Sequence, residues 1–174
     1  RSLYDVRLQR VLEYARANGI NRIEGDKAAR IGIIAAGKAW QDLAQALAGM
    51  NYADGKLGNM PTRLLKVGMV WPLDDQIIRE FAEGLDTIIV VEEKRPLLED
   101  QIKSYLYGTG LSPRLIGKTF GNHVYSAQAG ECAFPNIGEI DPNMIARIVA
   151  RAANETDPDC GIAISNQPDQ PPVL

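Results

Sequence analysis

Apolar residues recur at helical spacing from the start of the chain. Leu8, Val11, Leu12 and Ala15 stand at offsets 0, 3, 4 and 7, and Gly19 follows Asn18 where a left-handed cap is wanted, which predicts a helix from Leu3 to Asn18. Ile20 to Glu24 alternates as a short strand does. Ile31 to Ala35 is apolar at every position but Gly32, the pattern of an interior strand covered on both faces. Trp40, Leu43, Ala44 and Leu47 repeat the 0, 3, 4, 7 spacing ahead of Gly49, so a helix follows that strand after a very short turn. Asn51 to Thr62, with Gly55, Gly58, Asn59 and Pro61, reads as a loop, and Leu64 to Met69 as the next strand.

The second half continues the alternation. Asp74 or Asp75 is placed to cap a helix whose stripe is Ile77, Ile78 and Phe81 and whose end is Gly84. Thr87, Ile88, Ile89, Val90 and Val91 are five consecutive β-branched residues and make the strongest strand signal. Pro96 suits a first helical position; Leu98, Ile102, Tyr105 and Leu106 form the buried face behind it, and Glu99 pairs with Lys103 at i,i+4. Arg114 to Gly117 is a short last strand, and Asp141-Pro142 opens a helix with the stripe Ile145, Ile148, Val149 and Ala152. Strands alternating with helices build βαβ units, so the pattern predicts a three-layer α/β/α sandwich with a mostly parallel sheet. The fold is expected to end near Ala153, giving one domain over 1–153 and a linker or tail over 154–174 that contains Pro158, Pro168, Pro171 and Pro172.

Composition narrows the chemistry. The 174 residues carry 19 Lys plus Arg against 22 Asp plus Glu, a net charge of -3, without the concentrated positive field that nucleic acid requires. Cys132, Cys160 and His123 are the only thiols and imidazole, so no zinc or iron-sulfur ligand set is present. Two cysteines suit a reducing compartment, with the cytoplasm as default and a single Cys132 to Cys160 bridge left open. No apolar run approaches the roughly 18 residues of a membrane span. The chain opens on Arg1, which is expected of a segment cut from something longer.

Three clusters invite a functional reading. Gly32-Ile-Ile-Ala-Ala-Gly37-Lys38-Ala39 satisfies G-x-x-x-x-G-K, but Ala39 replaces the hydroxyl that a P-loop places on magnesium, and Ile33 to Ala35 belong to the strand. A tight strand-to-helix turn explains the motif better; Gly37 and Lys38 still put amides and a positive charge at a helix start, which leaves a small-molecule or nucleotide-binding module as the alternative function. There is no G-x-G-x-x-G, and a flavodoxin-like carrier lacks its hydroxyl-rich phosphate loop. Glu92-Glu93-Lys94-Arg95-Pro96 closes the strongest strand. Successive strand residues face opposite ways, so Glu92 and Glu93 do not converge as an acid and base pair; one is expected to cap the next helix, and the other to reach a neighbouring domain or Lys94 and Arg95. Trp71, before Pro72, is either a lid on the helix below or a contact that a partner covers. His123 reads as a loop residue, since no nucleophile motif surrounds it.

Gly32-Ile-Ile-Ala-Ala-Gly37, Leu65-Lys-Val-Gly-Met-Val-Trp-Pro-Leu73 and Arg79-Glu-Phe-Ala-Glu-Gly-Leu-Asp-Thr-Ile-Ile-Val-Val-Glu-Glu-Lys94, followed by Glu99, Gln101 and Ile102, resemble the indolepyruvate ferredoxin oxidoreductase family. The likeness is to the transketolase C-terminal-like domain of the long, fused 2-oxoacid oxidoreductases, and Gly117-Lys118, Gly138-Glu139 and Met144-Ile-Ala-Arg147 extend it over roughly residues 30 to 150. It implies a five-stranded α/β/α sheet with an antiparallel edge strand, a place for Ile20 to Glu24. It further implies a parent enzyme that turns an arylpyruvate into an acyl-coenzyme A with thiamine diphosphate, magnesium and iron-sulfur clusters, and ferredoxin as electron acceptor. The thiamine diphosphate motif and cluster cysteines of such enzymes are absent from this sequence, so no catalytic or metal residue is assigned. The expected role is structural: packing on the thiamine-binding domains, completing a subunit interface with a homodimer as one form of it, and bordering the coenzyme A access route. Gly37, Lys38, Trp71, Glu92, Glu93 and Lys94 are the candidate anion or interface residues.

Overall fold

A computed structural model describes residues 2–121 and 131–163. A π-helical turn, Leu3–Arg7, leads into α1 (Leu8–Ala17), and then follow β1 (Arg22–Gly25), β2 (Ile31–Ala36), α2 (Gly37–Gly49), β3 (Lys56–Leu57) and β4 (Met60–Val67). The second half is α3 (Asp75–Ala82), β5 (Thr87–Val91), α4 (Leu97–Leu106), β6 (Arg114–Ile116) and α5 (Pro142–Thr156), with a 3-10 turn at Pro158–Cys160.

The main sheet runs β1-β4-β2-β5-β6, parallel throughout except that β1 joins β4 antiparallel at the edge. Side chains of β2 alternate between two cores, as a pleated strand requires. Ile31, Ile33 and Ala35 pack with α2 and α5, whereas Ile34 packs with α3 and α4. Gly32 lies on the α3 side, where an added Cβ would come within 2.6 Å of Phe81 and 2.5 Å of Leu85. The first glycine of the P-loop-like motif is therefore a seat for a fully buried Phe81. The second, Gly37, has φ +54, which a tight turn from strand into helix needs and a side chain resists.

Several expectations shift. The segment Asn51 to Thr62 is not all loop: β3 forms a short hairpin on β4, which starts at Met60, tolerates Pro61, and ends at Val67 rather than Met69. Pro96 precedes α4 as its N-cap and is not its first residue, because the Glu92 carboxylate supplies the cap. The packed fold does not end near Ala153. Helix α5 runs on to Thr156, and Cys160 is buried against the α2–α5 core, with its carbonyl accepting from Asn59 N at 3.4 Å. Cys132 and Cys160 are both free thiols. Residues 164–174, with Pro168, Pro171 and Pro172, lie outside the described residues, as does His123.

Two buried charges brace the frame. Arg63 on β4 donates to the carbonyls of Phe81 at 2.7 Å and Glu83 at 2.9 Å, at the carboxyl end of α3, and also to those of Asp26 and Lys27. A cation there complements the helix dipole. Asp74 caps α3 through Gln76 N at 3.0 Å and takes a two-pronged bond from Arg16, 2.7 Å on each prong, which ties α1 to α3. Burial alone would raise the Asp74 carboxyl, but the Arg16 guanidinium and the Gln76 amide outweigh it and hold the group below the ordinary carboxylate range.

Candidate functional site

In an open parallel sheet the ligand crevice lies beyond the carboxyl ends of the strands, where neighbouring strands send their connections in opposite directions. Here that point falls between β2, whose chain leaves through α2 toward β4, and β5, whose chain leaves through α4 toward β6. Gly37 and Lys38 follow β2, and Glu92, Glu93 and Lys94 follow β5, so five of the six candidate residues sit on this one rim. Trp71 follows β4, the next strand along.

Lys38 is not the unneutralised cation expected at an anion site. Its ammonium lies 2.9 Å from Asp42 and 3.2 Å from Glu93, across the crevice, and these carboxylates raise its pKa. Two carboxylates around one ammonium make its immediate surround net negative, which disfavours a phosphate at that point. The start of α2 has no side-chain cap, yet its amides look into that negative surround.

Glu92 and Glu93 diverge as the strand pleat demands. Glu92 turns to the start of α4, accepting from Leu98 N at 2.8 Å and Glu99 N at 3.4 Å, while Glu93 turns to Lys38 and not to Lys94 or Arg95. Burial pushes the Glu92 carboxyl above the ordinary carboxylate range, against the pull of the Leu98 and Glu99 amides. Lys94 takes a φ of +56 as the chain reverses toward α4.

A buried circuit stands behind this loop. The Glu92 carboxylate holds the Glu99 amide; the Glu99 carboxylate accepts from Lys118 N at 2.9 Å; the Lys118 ammonium returns to the Glu92 carbonyl. Glu99 is 1% exposed and bonds Lys103 at 2.6 Å, so the i,i+4 pair has its carboxylate inside the protein. Lys118 is buried as well, and burial lowers its pKa although Glu92 and Glu99 pull the other way. The approach is so close that a Cβ on Gly117 would lie 2.2 Å from Glu99 Oε2. Sequence reasoning missed the partnership of Lys118 and Glu99. The available signal was Gly117-Lys118 directly after a strand, where a glycine fits close approach and a lysine reaches the neighbouring strand end.

Trp71 is 54% exposed among the described residues, so about half of its surface stays open instead of being sealed over the helix below. The rim therefore holds Lys38, Glu92, Glu93 and Lys118 in internal bonds and presents Lys94 and an aromatic outward, an arrangement suited to holding a surface rather than to proton transfer at a substrate. Among the described residues no three His, Cys, Asp or Glu gather as metal ligands, and no helix is long and apolar enough to cross a membrane.

Indolepyruvate oxidoreductase subunit IorA of Thermococcus kodakarensis is 31% identical over 119 residues, 68% of this chain and 17% of that protein. The IorA subunit of Pyrococcus abyssi is 32% identical over 105 residues, 60% of this chain and 15% of that protein. The chain thus spans about a sixth of the length of these relatives. Among solved structures, a chain of the 2-oxoglutarate:ferredoxin oxidoreductase from Magnetococcus marinus, with 2-oxoglutarate, coenzyme A and succinyl-CoA bound, aligns with a TM-score of 0.49 and 16% identity over 79% of this chain and 20% of its own. The family model of the indolepyruvate oxidoreductase domain matches residues 21–161, and the chain belongs to that family.

Proposed function

We propose that this chain is a non-catalytic interface domain of a thiamine diphosphate-dependent 2-oxoacid ferredoxin oxidoreductase of the indolepyruvate type. In this reading the parent converts an arylpyruvate to an acyl-coenzyme A in the cytoplasm and passes electrons to ferredoxin, and its thiamine and iron-sulfur sites lie in other domains. The domain packs beside the thiamine-binding domains, with a homodimer contact as one way of completing the subunit. The observation that carries the reading is the state of the rim: the side chains of Lys38, Glu92, Glu93 and Lys118 are bound internally, whereas Trp71 is left open.

The residues present do not fit thiamine diphosphate. Its diphosphate is held through a bound magnesium, and among the described residues no three His, Cys, Asp or Glu gather to hold one; the Lys38 ammonium is already shared by Asp42 and Glu93, and Lys94 and Arg95 stand exposed on the loop after β5. An iron-sulfur cluster needs several thiolates, and of the two cysteines one is exposed and the other buried in the core. No step of the reaction is assigned to this chain.

Calorimetry of the purified chain with thiamine diphosphate and magnesium, a visible spectrum, and assays with indolepyruvate and phenylpyruvate test this directly. The expected results are no binding heat, no iron-sulfur absorbance and no decarboxylation; turnover by the chain alone overturns the proposal. The unneutralised amides at the start of α2 keep a phosphate-binding module as the second reading. A thermal-shift panel of phosphates decides it: a ligand at about 100 times its dissociation constant stabilises by about 2.7 kcal/mol, and Lys38→Glu should remove that shift.

A further inference from the structure

Three apolar side chains of the rim remain open to solvent: Val70 at 39%, Trp71 at 54% and Leu97 at 47% exposure. They belong to two separate segments, the loop after β4 and the first residue of α4, and one side chain joins them. The Gln101 side-chain amide spans them: Nε2 donates to Val70 O at 3.0 Å and to Leu97 O at 2.9 Å, while Oε1 accepts from Leu73 N at 3.1 Å. The two segments are thereby held side by side.

Beside them stand Lys94 and Arg95, both exposed, and among the described residues neither enters an ion pair. Their loop is anchored at its start by the Glu92 carboxylate and the Lys118 ammonium, so little ordering remains to be done when a partner arrives. An exposed tryptophan with aliphatic neighbours and an arginine at the margin has the composition of an interface centre.

We infer that Val70, Trp71 and Leu97, with Lys94 and Arg95, form a docking face for an acidic, partly apolar surface of another domain of the parent enzyme. Carboxylates of that domain meet Lys94 and Arg95, and an apolar recess receives Trp71. The inference rests on the interface reading above and names the face and the chemistry of its partner. Charge complementarity argues for this occupant. A second copy of the chain would bring Lys94 and Arg95 toward their own likenesses, with Asp100 the one exposed carboxylate close by in sequence to offset them.

Zero-length carbodiimide crosslinking of the full-length enzyme that carries this sequence, with peptide mapping, tests the chemistry itself. The reagent condenses a carboxylate with the Lys94 amine into an amide and leaves as the urea, so a product forms only where the two groups touch. The expected product joins Lys94 to an Asp or Glu outside residues 1–174, and Trp71→Ala, a change at an exposed position, removes it. A Lys94 product between two copies of 1–174, or a Lys94 that crosslinks to nothing and acetylates as fast as in the free chain, overturns the inference and leaves the interface reading standing. If no residue of 1–174 is crosslinked to or protected by any other domain, the interface reading itself fails.

Discussion

Helices α1 and α5 carry the same apolar arithmetic and meet opposite fates. In α5 the stripe Ile145, Ile148, Val149 and Ala152 is buried throughout, seated on α2 and the sheet, with Asp141 capping Met144 N at 2.9 Å. In α1 the stripe Leu8, Val11, Leu12 and Ala15 buries only Ala15; Val11 is 40% exposed, its neighbour Tyr14 is 64% exposed, and Leu3, Tyr4 and Val6 ahead of it are also open. Periodicity states that a helix has an apolar face. It does not state what covers that face, and in α1 the described residues bury Ala15, half-bury Leu8 and Leu12, and leave Val11 open. What fastens α1 here is polar: the Arg16 bond to Asp74.

Truncating the two stripes gives the sharpest contrast. Ile145→Ala should cost about 2–5 kcal/mol in urea unfolding, as a fully buried isoleucine does, and Val11→Ala less than about 0.5 kcal/mol. Equal losses would mean that α1 is packed after all. Next in size is Gly117→Ala, whose Cβ would collide with Glu99 Oε2; overpacking of this kind costs about 1–3 kcal/mol. Glu99→Ala in the same chain removes the collision, so the double variant should lose less than the two single losses added together, and simple additivity would dissolve the circuit.

Asp74 supplies the third effect, an acid dependence. Its folded carboxyl lies below the ordinary value of about 3.9, so its contribution is fully present above that value and is lost as pH falls through the folded pKa. Asp74→Asn keeps an acceptor for the Gln76 amide and should flatten the acid limb of the stability curve; an unchanged limb would mean that the Arg16 bond contributes nothing. Smallest is Lys38→Ala. Its own side chain is exposed, and the variant's melting temperature should match that of the parent chain within experimental scatter.

Strands and helices with one dominant period were legible because burial on both sides of β2 and β5, and on one side of α5, leaves few alternatives to the pattern. The pleat also separated Glu92 from Glu93 correctly. The hairpin of β3 on β4 was hidden by Gly58 and Pro61, residues that mark loops unless an edge position excuses them. The bond of Lys38 to Glu93 was not legible, because the two are 55 residues apart and which strands adjoin is not written in either segment. The burial of Glu99 was hidden for a related reason: its i,i+4 lysine is local, but the Lys118 amide that it accepts from comes from the turn after another strand.

Hydrogen exchange, measured on the free chain and on the full-length enzyme that contains it, bears most directly on the proposal that this domain works by being covered. Amides of Leu3 to Ala17 and of the Lys94 to Leu97 loop should exchange much more slowly in the full-length protein, while those of α5 stay unchanged. Identical exchange in both proteins at all three places would contradict it.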